Sequence, residues 1–156
     1  MYRTFVFLHL VGVVLFFSGF SASLFLKFRA DQTGERRILA HTLTQMNFND
    51  RWLTPPAILL ILVGGFGAAE VGGLSVTATG WLLWPLILFG ISGAIFAGQA
   101  LPLQLRLERL VAAPDGSEEV DWAGYRELSR HWARWATTAF LLVSIAFALM
   151  VFKPNF

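Results

Sequence analysis

Four long apolar runs alternate with polar segments along the chain. The first, residues 4–28, carries one ionisable side chain, His9, before its closing Lys27. Because about 20 residues at about 1.5 Å rise each cross a hydrocarbon core of about 30 Å, each run predicts a membrane-spanning helix. The first run is longer than the core of a signal peptide, so we expect a retained helix. We predict the remaining spans at residues 53–73, 81–105 and 136–152.

The segment between the first two spans predicts an amphipathic helix. Its apolar positions recur at helical spacing: Ile38, Leu39, Leu43 and Met46. Asp31 and Thr33 are the candidate N-caps of this helix. We expect its apolar face to lie on the membrane surface, as is typical of connectors between spans.

A second amphipathic connector precedes the fourth span. Pro114, Asp115 and Gly116 predict a turn that divides it into two pieces. The second piece carries an aromatic stripe beside arginines, which is typical of an anchor at the membrane interface. The stripe consists of Trp122, Tyr125, Leu128, Trp132 and Trp135.

Small residues recur at four-residue spacing in the second and third spans. Gly64 and Ala68 form one such pair, and Gly90, Ala94 and Gly98 form a continuous ridge. Small side chains let two membrane helices approach closely. We therefore predict a bundle that packs through the glycine ridges of spans two and three.

Composition agrees with this pattern and fixes the fold class. Of 156 residues, 56% are hydrophobic and 14% are charged, and none is cysteine. We predict an all-α membrane protein, a single four-helix transmembrane domain over residues 1–156. The absence of cysteine excludes disulfides and thiolate ligands. Nucleotide-binding loops, catalytic triads and paired catalytic carboxylates are not detectable, and no nucleic-acid partner is indicated.

The distribution of Lys and Arg predicts the orientation. Basic residues concentrate in the first and third connectors: Lys27, Arg29, Arg36, Arg37, Arg51, Arg106, Arg109, Arg126, Arg130 and Arg134. By the positive-inside rule, these connectors are cytoplasmic. Both termini then lie on the outer, periplasmic side.

His9 is the candidate centre of a site in the outer half of the bundle. Gly12 and Phe16 follow it on one helix face, an arrangement that suits a flat ligand. On the functional interpretation, His9 ligates a haem iron, and Arg3 or Lys153 meets the propionates. On the structural interpretation, His9 only donates a hydrogen bond across the bundle.

Glu70 is the polar candidate for that bond, and it is also a candidate proton relay. His41 and His131 belong to the cytoplasmic connectors, so they are poor second ligands for His9. A zinc site of His41, His131 and Glu127 is not required by any spacing.

Short motifs in fixed order resemble a bacterial integral membrane family, domain of unknown function 2269. They are Leu8-His9, Gly19, Phe28-Arg29-Ala30, the WLTPPA run from Trp52 to Ala57, Gly64-Gly65, Leu103-Gln104 and the terminal run from Leu149 to Pro154. The resemblance covers essentially the whole chain and implies a multi-pass protein of the bacterial inner membrane. It implies no biochemical activity.

More remotely, the layout is similar to HemJ-type protoporphyrinogen oxidases and copper-resistance D membrane proteins. In the HemJ-type family, a histidine early in the first span is implicated in haem binding, and a Lys-Pro pair closes the last helix. His9 and Lys153 match these positions, whereas Phe28-Arg29-Ala30 stands where that family has a second histidine. The resemblance therefore implies haem at His9 and argues against protoporphyrinogen oxidation.

Three functions remain open at the level of sequence. The first is haem b binding through His9 in a redox or tetrapyrrole-related role, without commitment to an enzymatic activity. The second is a structural or accessory subunit whose glycine ridges dock a larger membrane complex or a second copy. The third is a small transporter, for which the spans supply few polar groups.

Overall fold

The structure, a computed structural model, describes residues 1–112 and 120–154, and all regular secondary structure in these ranges is helical. The predicted turn at Pro114, Asp115 and Gly116 lies outside the described residues. The helices are α1 (Tyr2–Thr33), α2 (Arg36–Trp52), α3 (Thr54–Val71), α4 (Gly80–Ile95), a π-helical turn (Phe96–Ala100), α5 (Leu101–Val111) and α6 (Trp122–Phe152).

These helices form four rods that are long and apolar enough to cross a membrane, which confirms the predicted fold class. The rods are Tyr2–Thr33, Arg36–Val71, Gly80–Val111 and Trp122–Phe152. The rods cover the predicted spans, except that the second ends at Val71, two residues before its predicted limit, and each extends furthest past its span at the same end of the bundle. We call that end the connector end, and the opposite end, which carries Met1 and Lys153, the terminus end. The assignment of the terminus end to the periplasm stays a prediction.

Prolines mark both interruptions within the rods. Pro55 and Pro56 lie in the first turn of α3, where their missing amide hydrogens would have no intrahelical acceptor, so α2 ends and α3 begins there. Pro102 is the second residue after the π-helical turn. Since proline cannot donate to the carbonyl one turn earlier and clashes with it, a widened turn at this point relieves the conflict.

The polar end of α1 departs from prediction. The helix runs to Thr33 and ends at Gly34, whose φ of 64° is the left-handed conformation that glycine adopts without strain. Neither Asp31 nor Thr33 caps α2, because the residue before that helix is Glu35. The predicted N-caps are therefore wrong.

The four rods pack as two pairs at the terminus end. α1 lies against α3 so closely that a Cβ on Gly12 would stand 2.7 Å from the backbone nitrogen of Ile61. α4 lies against α6, where the hydroxyl of Ser92 donates to the carbonyl of Ala139 at 2.7 Å. Within the described ranges, α3 contacts neither α4 nor α6. A gap therefore separates the two pairs.

This pairing corrects the predicted role of the glycine ridges. Gly64 is buried, and a Cβ there would overlap the backbone nitrogen of His9, so the second span does pack through small residues. Its partner is the first span rather than the third. Gly90, Ala94 and Gly98 are exposed, and a Cβ on either glycine would meet nothing within 4 Å. The prediction that this ridge holds the bundle together is wrong.

The core lies at the connector end, where α2, α5 and α6 meet the end of α1. Leu39, Leu43 and Met46 are at most 3% exposed, so other helices cover the apolar face of α2. The predicted placement of that face on the membrane surface is therefore wrong. Tyr125 and Trp132 are buried in the same core, whereas Trp135 is 40% exposed, and its interfacial position stays a prediction.

A layer of phenylalanine rings divides this core from the gap. Its members pack edge to face, with neighbouring ring centroids between 5.3 Å and 6.2 Å apart: Phe16, Phe17, Phe20, Phe89, Phe96, Phe140 and Phe147. Such pairs stabilise a contact beyond the apolar area they bury. The layer joins the two helix pairs at mid-depth.

Candidate functional site

The gap between the helix pairs forms a partly open cavity of about 390 Å³ at the terminus end. Phe16, Phe17 and Phe89 of the phenylalanine layer form part of its lining, together with many aliphatic side chains. A concave, mostly apolar site with a few polar groups is the usual form of a ligand pocket. The cavity can therefore hold a hydrophobic molecule.

His9 supplies an imidazole to the wall of this cavity. Its Nδ1 lies 2.8 Å from the carbonyl oxygen of Ile61 on α3. Because a carbonyl only accepts, Nδ1 carries the proton, and the lone pair of Nε2 remains for another partner. The neighbouring Gly65 leaves room for the ring, since a Cβ there would stand 3.1 Å from Nδ1.

The rim of the cavity is cationic and aromatic. Lys153 and Tyr2 both line it, and the ammonium of Lys153 lies 4.7 Å from the centroid of the Trp81 ring. A lysine at the mouth of an apolar cavity can meet an acidic group on the ligand. This position agrees with the predicted place of Lys153 beside the site.

The other predicted site residues divide into two groups. Phe16 lines the cavity, whereas Gly12 faces α3 and serves helix packing. Arg3 and Glu70 are exposed, and neither lines the cavity. The structural interpretation expected a hydrogen bond from His9 across the bundle, and the structure has that bond. Its acceptor is the carbonyl of Ile61 on α3, so Glu70 as the partner is wrong.

Met150 is a cavity residue that the sequence analysis missed. It belongs to a face of α6 that turns Val143, Ala146, Phe147 and Met150 towards the cavity. The spacing of three and four residues along the fourth span is the signal that could have found it. A thioether is the second axial ligand of the iron in some haem proteins.

A buried ion pair at the connector end was also missed. Lys27 is fully buried, and its ammonium donates to both carboxylate oxygens of Asp31, at 2.6 Å and 2.7 Å. The hydroxyls of Tyr125 and Ser129 donate to the same carboxylate, each at 2.7 Å. The Trp132 ring lies 5.5 Å from the ammonium. A basic residue followed by an acidic one four positions later was the available signal.

A second polar cluster adjoins this ion pair. The fully buried amide of Gln104 donates to Asn47 and Asp50, both at 2.7 Å, and accepts from the indole nitrogen of Trp132 at 3.1 Å. Gln104 is therefore an interhelical hydrogen-bonder. Because these groups satisfy one another, they join α2, α5 and α6.

The described residues hold no cluster of three or more His, Asp and Glu side chains that could bind a metal ion. His41 and His131 are both exposed on helices of the connector end. No spacing in the sequence predicted a zinc site at these histidines, and the described residues contain no such group of ligands.

In a comparison with known protein families, residues 3–154 match the predicted integral membrane protein family DUF2269. The chain belongs to the DUF2269 family. The family has no assigned function, so membership confirms a multi-pass membrane protein and supplies no activity for the DUF2269 protein. No curated protein and no solved structure matches the chain. The remoter resemblance to HemJ-type and copper-resistance D proteins stays a prediction.

Proposed function

We propose that this DUF2269 protein binds b-type haem in the terminus-end cavity through Nε2 of His9. The observation that carries the proposal is the hydrogen bond from Nδ1 of His9 to the carbonyl of Ile61. Metal-ligating histidines characteristically donate their other ring nitrogen to such a partner, which holds the ring and selects the tautomer. His9 also lines the cavity, so the ring that this bond holds stands where a ligand would bind.

The cavity residues fit this cofactor. The walls are mostly hydrocarbon and aromatic, as suits a flat apolar macrocycle, and because the cavity is partly open, a ligand larger than its volume can extend beyond it. Lys153 is placed to meet a propionate, and Met150 is the candidate second ligand. When bound, haem would supply one-electron chemistry, which agrees with a redox or tetrapyrrole-related role in the bacterial inner membrane.

The experiment is an absorption spectrum of the protein purified in mild detergent, before and after haem is added. We expect a Soret band that His9→Ala abolishes. His131→Ala is the matched control, because that histidine is exposed at the connector end, and it should keep the band. Thermal unfolding of the His9→Ala protein shows that it is folded. A protein that stays colourless with added haem refutes the proposal, as does a His9→Ala variant that binds haem like the parent.

One observation favours the alternative function, a structural subunit that docks a second copy. The ridge of Gly90, Ala94 and Gly98, which runs along α4 into the π-helical turn, is exposed, although small residues at this spacing usually mark close helix contact. Chemical cross-linking in native membranes tests this function. Gly90→Leu should abolish a cross-linked dimer and leave the Soret band unchanged, whereas a monomer in the membrane contradicts it.

A further inference from the structure

We propose that a concavity between the α5 rod and α6, at the connector end, binds the phosphate headgroup of an anionic phospholipid. It lies apart from the cavity at His9, and lipid binding there is independent of haem. The lining residues are Gln99, Leu103, His131, Arg134, Trp135 and Thr138.

The lining presents nitrogen donors without partners. The side chains of Gln99, His131 and Arg134 make no hydrogen bond or ion pair with any residue in the described ranges. The lining contains no carboxylate. Arginine donors that converge with other N–H groups in a site of positive charge are suited to phosphate oxygens. The chemistry therefore selects an anion with several acceptor oxygens.

The depth of the concavity selects a lipid as the source of that anion. Arg134 is the last charged residue of α6 before the uncharged stretch that ends at Phe152. Those 18 residues (152 − 134) span about 27 Å at about 1.5 Å each, close to the hydrocarbon thickness of about 30 Å. Trp135, 40% exposed, stands beside Arg134 as an interfacial anchor. Arg134 is therefore level with the headgroups.

An apolar track continues from the concavity along the same face of α6. Thr138, Leu141 and Ile145 follow Arg134 at steps of four, three and four residues, which keeps them on one side of the helix. Leu141 is 55% exposed and Ile145 is 50% exposed. An acyl chain attached to a phosphate at Arg134 would lie on these side chains. Basic sites between membrane helices at one leaflet are known to hold anionic headgroups in this way.

The test is native mass spectrometry of the detergent-solubilised protein, titrated with phosphatidylglycerol or with phosphatidylcholine of identical acyl chains. We expect preferential binding of phosphatidylglycerol, and a loss of apparent affinity of about fivefold for Arg134→Gln, the effect of about one charge at a membrane surface. Arg130→Gln is the matched control. That arginine is exposed on α6 one turn earlier and does not line the concavity.

Three results overturn the proposal. Equal binding of the two lipids shows that no headgroup charge is recognised. An equal loss with Arg130→Gln shows that attraction is spread over the whole basic surface. Competition by an excess of inorganic phosphate that displaces the lipid completely shows a site for the free anion rather than for a lipid. A native-like unfolding profile of Arg134→Gln ensures that a loss of binding reports on the site.

Discussion

Removal of the Asp31 carboxylate should destabilise the protein far more than removal of the Lys27 ammonium. Lys27 is fully buried. Without the carboxylate charge, the remaining partners of its ammonium are the Ser129 hydroxyl at 2.8 Å and the rings of Tyr125 and Trp132. Loss of one partner from a buried ion pair costs about 3–5 kcal/mol, which we expect for Asp31→Asn.

The converse change leaves a better-solvated charge. In Lys27→Met, the Asp31 side chain remains 31% exposed and still accepts from Tyr125 and Ser129, while methionine fills the volume of the lysine stem. We expect a cost of about 1–2 kcal/mol, near that of one hydrogen bond to a charged group. The double variant should be more stable than Asp31→Asn alone, because no buried charge is left unpaired.

The assay is unfolding in mixed micelles with increasing dodecyl sulfate, followed by far-ultraviolet circular dichroism. Glu127→Gln is the control, since this exposed acidic residue of α6 should change stability by at most about 0.5 kcal/mol. A cost below about 1 kcal/mol for Asp31→Asn would refute the reasoning, as would strict additivity in the double variant.

Further predictions concern packing, the second polar cluster and a helix cap, each measured by the same unfolding assay. Gly64→Ala should lower the free energy of unfolding by about 1–3 kcal/mol, because its Cβ overlaps the backbone of α1. Gly90→Ala should be neutral or stabilise the protein by up to about 1 kcal/mol. Equal effects of the two substitutions would contradict the helix pairing. Gln104→Leu should destabilise the protein by about 1–3 kcal/mol for each buried group that it leaves unpaired. Unchanged stability would show that water replaces the amide. The Asp121 carboxylate accepts hydrogen bonds from two backbone amides in the first turn of α6, at 2.9 Å and 3.1 Å. Asp121→Ala should therefore destabilise the protein by about 1 kcal/mol and speed hydrogen exchange of those amides. Unchanged exchange would contradict the cap.

The spans and the position of His9 were predictable because membrane insertion constrains each helix by itself. Every backbone group must be satisfied within a helix, and the length follows from the bilayer, so hydropathy along residues 4–28 is sufficient. Lys153 was expected near His9 because both lie at the same depth in the membrane, and Phe16 because it shares a helix face with His9. Depth and helix face both follow from the local sequence. The interfacial placement of the aromatic stripe is wrong for Tyr125 and Trp132, because interfacial and buried aromatics have the same spacing along a helix. Only the packing of α2 and α5 against α6 buries these two side chains.

The amino-acid sequence by itself determined four apolar helices, their order and the place of one imidazole within the first. These properties depend on residues that are near one another in the chain. Only the tertiary structure decided that Gly64 packs on α1 while Gly90 stays uncovered, because the same small-residue spacing suits any partner helix. It also decided that His9 donates to the carbonyl of Ile61 and faces a cavity. That cavity exists because two helix pairs stay apart at one end, and no local pattern encodes the space between them.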